Sequence, residues 1–260
     1  MKLESKKVIL TGASSGIGKA LLNHLLKHGA LVVVGDLRPD AIPDHPNLHK
    51  LKIDVSKPSE IDRLIESSIE ILDKIDAFIA NAGFAYYEKM AEEDWNRIKS
   101  IFATNVFSPI YTIQKLSHLL PKGVHILVTA SAMAYLPLPG YALYSATKSA
   151  LHSFAKAFRM EMGGQYKLTL IYPIATKTAF FEKAGRSVPL PWPSQSADHV
   201  AKQVIRALVR PKNSVFPSLT FRILLVLNHF FPFFFPLYQF WQRWNFQKWL
   251  KSTESEGSSQ

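Results

Sequence analysis

Tyr144-Ser145-Ala146-Thr147-Lys148 sets a phenol and an ammonium four residues apart, so a helix through them carries both on one face. A free tyrosine, with a pKa of about 10, is a poor proton acceptor at neutral pH, and a nearby cation that stabilises phenolate moves it toward a useful range. Each residue also has a plainer reading, as a core tyrosine and as a solvated helix lysine. A second cluster offers binding. Thr11-Gly12-Ala13-Ser14-Ser15-Gly16-Ile17-Gly18 follows a short apolar run and opens into a helix-like pattern. Glycines in such a turn allow positive φ and let the backbone approach a pyrophosphate, whose charge then meets the positive end of a helix dipole. Asp36 stands about 20 residues on, at the end of a second apolar run, where a carboxylate accepts hydrogen bonds from an adenosine ribose. It would repel a 2′-phosphate and so favours NAD, while Arg38 beside it could pair with that phosphate and keeps NADP open.

The elements that must position these residues alternate. Residues 8–11, 31–35, 49–53 and 77–80 are near-continuous apolar runs of strand length, and 17–28 and 60–74 carry helical spacing between them, the pattern of βαβ units feeding a parallel sheet. Pro39, Pro43 and Pro46 argue against a full crossover helix after Asp36. Farther along, 92–119 reads as one long helix or two abutting helices broken near Pro109, 124–129 as a strand, 144–162 as a helix and 167–172 as a strand. Pro189, Pro191 and Pro193 make 177–196 a loop over the site, with a helix at 197–209. The expected fold is a single doubly wound (Rossmann) α/β domain over residues 1–218, with its site at the carboxyl ends of the strands.

Ser131 falls thirteen positions before Tyr144, at the end of an apolar run. Thr11 to Gly18, Asp54-Val55, Asn81-Ala82-Gly83, Asn105, Ser131, Tyr144 with Lys148, and Pro173 with Thr178 stand in the order found in the short-chain dehydrogenase/reductase family, which the chain resembles from residue 7 to about residue 209. The resemblance implies an NAD(P)-dependent oxidoreductase. In it Tyr144 is the general acid/base, Ser131 hydrogen-bonds the substrate oxygen, Lys148 lowers the tyrosine pKa and holds the nicotinamide ribose, and Asn105 positions a proton-relay water. It further implies that Gly12, Ser14, Ser15, Gly16, Ile17 and Gly18 cradle the phosphates and that Asp54 and Val55 contact adenine. Asn81, Ala82 and Gly83 support the sheet beside the cofactor, Pro173 lies by the nicotinamide, and Thr178 binds its carboxamide. The chemistry is consistent in itself, because hydride transfer leaves or consumes charge on an oxygen that a hydroxyl donor and an activated phenol can flank. Two features depart from the family pattern: Ile174 stands where a glycine is usual after Pro173, and the short crossover after Asp36 leaves the adenosine pocket fewer walls.

Composition bounds the rest. At 260 residues the chain can bury one full core; its net charge of +11 is scattered without a nucleic-acid signature, and no cysteine is present, which excludes thiol catalysis, thiolate zinc sites and disulfides. The charged start and the brief run 8–10 do not make a signal peptide, so the chain is expected to begin inside its fold, on the cytoplasmic side. Residues 219–251 differ in kind. Phenylalanines, leucines and Trp241, Trp244 and Trp249 stand among basic residues; Pro232 and Pro236 interrupt any spanning helix, while Leu237, Phe240, Trp241 and Trp244 follow helical spacing. This suits peripheral or monotopic attachment to a membrane and, with it, a lipophilic substrate. The other readings are a core segment or dimer interface serving a soluble-substrate enzyme, and a dinucleotide-binding sensor with little chemistry. Residues 252–260 read as a disordered polar end. The family resemblance also implies a homodimer or homotetramer through the helices at 92–119 and 144–162.

Overall fold

The structure, a computed structural model, describes residues 3–91, 93–120, 123–185 and 187–257. In chain order the elements are β1 (Lys7–Thr11), α1 (Gly16–Lys27), β2 (Leu31–Asp36), β3 (Leu48–Lys52), α2 (Pro58–Leu72), β4 (Ala77–Ala80), α3 (Trp95–Phe102), α4 (Ser108–Leu119), β5 (His125–Thr129), α5 (Ala142–Glu161), β6 (Lys167–Ile171), β7 (Thr176–Lys177), α6 (Phe180–Ala184), β8 (Gln195–Ser196), α7 (Ala197–Val209), β9 (Ser214–Val215), α8 (Leu219–Phe230) and α9 (Phe234–Gly257). Seven strands form one parallel sheet in the order β3-β2-β1-β4-β5-β6-β9. The expected doubly wound fold is therefore present, and the order reverses between β1 and β4, where such sheets open a crevice at the strands' carboxyl ends.

Alternation within the strands builds two cores. Val8, Leu10, Val32 and Val34 pack against Leu21 and Leu25 of α1 and Val200 and Val204 of α7. Ile9, Val33 and Phe78 face the other way, toward Leu64 of α2, Leu116 of α4 and Leu151 of α5. Strands buried on both faces need apolar side chains at every position, which is why these runs do not alternate with polar residues. A third core lies beyond the strand ends and gathers Tyr87, Tyr141, Tyr144, Phe181, Phe221 and Phe246.

Some boundaries match the sequence reading and others differ from it. After Asp36 a single 3-10 turn, Pro39–Ala41, stands in place of a crossover helix, as the prolines require. The stretch 92–119, whose residue 92 lies outside the described residues, is two α-helices joined by a π-helical turn at Ala103–Phe107. The irregularity precedes Pro109, which brings no N–H to the carbonyl four residues earlier. Residues 177–196 are not wholly irregular: the prolines begin only at 189, which leaves room for α6, and β7 pairs with β8 across the stretch. Two residues were too few to mark β9 in the sequence. The end expected to be disordered from Ser252 continues α9 to Gly257, with the Ser252 and Thr253 hydroxyls bonded back to the Trp249 carbonyl; residues 258–260 lie outside the described residues.

α8 starts where the Ser218 hydroxyl accepts from the Phe221 N–H at 3.1 Å, and Asn228 Oδ1 accepts from the Phe235 N–H at 2.9 Å to close the elbow between α8 and α9. Among the described residues no single helix is long and apolar enough to cross a membrane; α8 and α9 pass that test only together, bent by 119°.

Candidate active site

The glycine turn cannot be built from other residues. Gly12 and Gly16 have φ of +70° and +57°, a Cβ on Gly12 would lie 2.8 Å from Ala82 Cα, and one on Gly18 would lie 1.9 Å from the Gly12 carbonyl oxygen. Asn81 braces the turn from β4, donating to the Gly12 carbonyl at 3.0 Å while its own oxygen accepts from Thr129 Oγ1 at 3.2 Å. The Ser15 side chain makes no cap, so the first amides of α1 are left to whatever enters the cleft. Asp36 is buried at the end of β2, its carboxylate accepting from the Ser14 N–H at 2.8 Å and the Arg38 N–H at 2.9 Å. Asp54 accepts from the Ser56 N–H and hydroxyl, at 3.0 and 2.7 Å, so it caps the end of its strand as well as lining the cleft.

These residues form one end of a cleft of about 520 Å³, and the proposed chemical groups form the other. Gly12, Ser14, Ser15, Gly16, Ile17, Asp36, Asp54, Val55, Asn81, Ala82, Gly83, Ser131, Tyr144, Lys148, Pro173 and Thr178 all line it. Gly18 and Asn105 do not. Gly18 lies beneath the turn. Asn105, buried in the π-helical turn, accepts from the Phe84 N–H at 3.1 Å, donates to the Phe84 carbonyl at 2.8 Å and donates to Thr147 Oγ1 at 3.2 Å. It ties the chain after β4 to α5, just behind Gly83 and Lys148, where an added Gly83 Cβ would meet Asn105 Oδ1 at 3.0 Å and Lys148 Nζ at 3.7 Å.

Ser131 caps a 3-10 turn, Ala132–Ala134, accepting from the Met133 N–H at 3.1 Å, and Lys148 Nζ donates to the Thr129 carbonyl at 2.8 Å and sits 5.4 Å from the centre of the Tyr144 ring. Burial pushes the Tyr144 phenol up to about 12, with the Ser131 hydroxyl pulling the other way, and burial pushes the Lys148 ammonium down to about 7. Desolvation outweighs any lowering of the phenol by its neighbour, because both groups are buried and the lysine is itself held to a backbone carbonyl. In this state Tyr144 is a proton donor with a serine hydroxyl beside it.

The sequence reading missed most of the substrate wall. Phe84, Met133, Ile174, Phe180 and Phe181 line the chemical end, and Leu37 and Ile53 the adenosine end. The Phe180-Phe181 pair, two residues past Thr178, was the available signal, hidden in a stretch taken as a loop. Thr178 packs across from the glycine turn, 3.4 Å from where a Gly16 Cβ would stand. Ile174 lines the cleft next to Pro173, whose carbonyl accepts from the Ala132 N–H at 2.8 Å. The free amides of α1, the glycine cradle and the ribose-facing carboxylate together fit a dinucleotide. Among the described residues no group of side chains could hold a metal ion.

The profile of the family described as short chain dehydrogenase matches residues 6–188. An 11-beta-hydroxysteroid dehydrogenase 1A of Arabidopsis thaliana is 28% identical over 246 residues, covering 85% of this chain and 70% of that protein. An uncharacterised oxidoreductase of Staphylococcus saprophyticus is 32% identical over 193 residues, covering 68% of this chain and 76% of its own. Among solved structures, a short chain dehydrogenase/reductase from Burkholderia phymatum in complex with NAD superposes with a TM-score of 0.77 at 21% identity over 88% of this chain and 94% of that one. A short chain dehydrogenase from Burkholderia cenocepacia in complex with NADP gives 0.75 at 23% identity, covering 88% and 94%.

Proposed function

The chain belongs to the short-chain dehydrogenase family, and on that footing we propose that it moves a hydride between NAD(H) and a carbonyl or secondary alcohol carbon of a lipophilic substrate, at the cytoplasmic face of a membrane. The observation that carries the reading is the cleft in which Ser131, Tyr144 and Lys148 stand with Phe84, Met133, Ile174, Phe180 and Phe181, the other polar side chains nearby being the hydroxyls of Ser100, Thr104, Thr129, Thr176 and Thr178. Bound in the cleft, the dinucleotide would supply the hydride to a carbonyl or accept it from an alcohol. Gly12 and Gly16 with the first amides of α1 hold its pyrophosphate, and Asp36 takes the ribose, which favours NAD over NADP. Ser131 donates to the substrate oxygen and Tyr144 delivers or removes the proton there, while Lys148 anchors the nicotinamide ribose. Asn105 acts through its neighbours, fixing the backbone at Phe84 and the helix at Thr147.

The apolar wall supports a lipophilic substrate, because a polar one would lose hydration against Phe84, Phe180 and Phe181 with few partners in return. The outer surface of α8 and α9 supports a membrane, and the name of the Arabidopsis relative is in keeping with a steroid-like substrate. A second reading, in which this surface joins two copies of a soluble-substrate enzyme, is favoured by the same exposed apolar side chains. The test is a screen of lipid extracts with NADH and NADPH side by side, following nicotinamide absorbance for wild type and Tyr144→Phe. Loss of the phenol is expected to lower turnover by about a hundredfold or more while leaving dinucleotide binding in place. Equal turnover by the two proteins would remove Tyr144 from the chemistry.

A further inference from the structure

The arms of the α8–α9 elbow are rooted at their far ends and bare at their junction. Phe221 is buried beside Phe216, with ring centroids 6.4 Å apart, and Phe246 is buried against Tyr87 at 5.5 Å. Between these roots Phe230, Phe231, Phe233, Leu237 and Phe240 are 53–70% exposed. A contiguous apolar surface of this kind on a folded chain marks an interaction site.

Charge identifies the occupant. From residue 219 to residue 252 the sequence contains no Asp or Glu, while Arg222, Arg243, Lys248 and Lys251 are exposed along the arms. The Lys248 ammonium lies 3.4 Å over the Trp244 ring, so a cation rests at the border of the apolar tip. A second copy docked through the same stretch would set these cations against their own counterparts, since α9 carries its carboxylates, Glu254 and Glu256, only in its last turn. An anionic bilayer meets both needs, with acyl chains for the phenylalanines and phosphates for the cations. Length settles the depth. The 12 residues of α8 rise roughly 18 Å against a hydrocarbon core of about 30 Å, and the 119° bend turns the chain back, so the elbow reaches one leaflet and returns.

We propose that the elbow, residues 230–234, inserts into one leaflet of an anionic membrane, with the basic arm of α9 at the headgroups. This rests on the membrane reading above and specifies the surface. The proline-rich segment before α7 moves with it. Trp192 is 71% exposed, and its carbonyl accepts from the Tyr238 hydroxyl of α9 at 2.6 Å, so the proline-rich segment around it is fastened to the same helix and comes to the lipid with it.

The experiment is flotation of the full chain with vesicles of phosphatidylcholine alone and of phosphatidylcholine with phosphatidylglycerol. A second readout is quenching of tryptophan emission by acyl-brominated lipid. Wild type is expected to float with the anionic vesicles and to be quenched. Phe230→Ser with Phe231→Ser and Phe233→Ser should lower partition by about tenfold or more and abolish quenching, whereas Arg243→Gln with Lys248→Gln and Lys251→Gln should lose chiefly the preference for anionic lipid. Both variants should keep wild-type reduction of a water-soluble ketone, which verifies that they fold. Flotation of the elbow variant equal to wild type overturns the proposal, as does a wild type that ignores vesicles and forms a dimer that the elbow variant dissociates. Wild-type flotation with turnover confined to soluble substrates leaves the docking intact and sinks the lipophilic-substrate reading.

Discussion

Lys148 shows how far a side chain's chemistry depends on what surrounds it. In the sequence it is a cation placed to acidify a phenol; in the fold its own desolvation brings it to about 7, so near neutrality it exchanges its proton readily. An anionic dinucleotide bound beside it favours the ammonium form, so NADH binding above pH 7 should take up a proton. Calorimetry at about pH 8 in two buffers of different ionisation enthalpy is expected to show uptake approaching one proton per site, falling away at about pH 6 where Lys148 is already charged. In Lys148→Met the uptake should vanish. A buffer-independent enthalpy for wild type at both pH values would mean the lysine keeps one protonation state throughout. Tyr144 and Ser131 were legible because the phenol and the lysine sit at helical spacing and the serine ends a strand. The aromatic wall was not, since the one signal, the Phe180-Phe181 pair just past Thr178, stands in a stretch that reads as a loop, and only the fold brings the pair to the cleft.

At the scale of an element, α9 has two jobs divided between two faces. Tyr238, Gln242, Phe246 and Trp249 recur at helical spacing and turn inward. Tyr87 lies 4.6 Å from Trp249 and 4.7 Å from Tyr141, and Tyr141 is 6.3 Å from Tyr144, so a chain of rings links this helix to the Tyr144 phenol. Gly140 permits the approach, because with φ of +82° a Cβ there would stand 2.3 Å from the Tyr87 ring. Phe246→Ala is expected to cost about 3 kcal/mol of stability in urea denaturation and to lower kcat for a water-soluble ketone without any membrane present. Phe240→Ser, on the outer face, should alter neither. Unchanged kcat in Phe246→Ala would make the inner face simple packing. The stripe Leu237, Phe240, Trp241 and Trp244 was visible in the sequence, but the inward stripe was not, because a helix rich in aromatics all round gives no single apolar face to read.

Across the whole molecule the sheet has one end for chemistry and another that carries a liability. His125 begins β5, buried, with Nε2 hydrogen-bonded to Thr169 Oγ1 at 2.7 Å, and burial lowers its pKa from 6.5 to about 4. Between those values the unfolded chain holds a proton that the folded chain does not, so stability is full above about pH 6.5 and falls as the pH drops toward 4, by about 3 kcal/mol over the interval. Urea midpoints at pH 7 and 4.5 should show this loss, and His125→Gln should flatten it. An equal slope in both proteins would place the acid sensitivity elsewhere.

The amino-acid sequence alone determined the alternating parallel sheet, the glycine turn, the carboxylate that ends β2 and the order of Asn105, Ser131, Tyr144 and Lys148. Each of these is written in local spacing: continuous apolar runs, glycines where φ must be positive, and side chains one helical turn apart. Tertiary structure alone decided which protonation state those residues adopt, which aromatic side chains wall the cleft, and that the C-terminal helices both brace the site and leave an apolar elbow bare. These depend on burial and on contacts between residues far apart in the chain, such as Tyr87 with Phe246, and desolvation has no value until the fold has excluded the water.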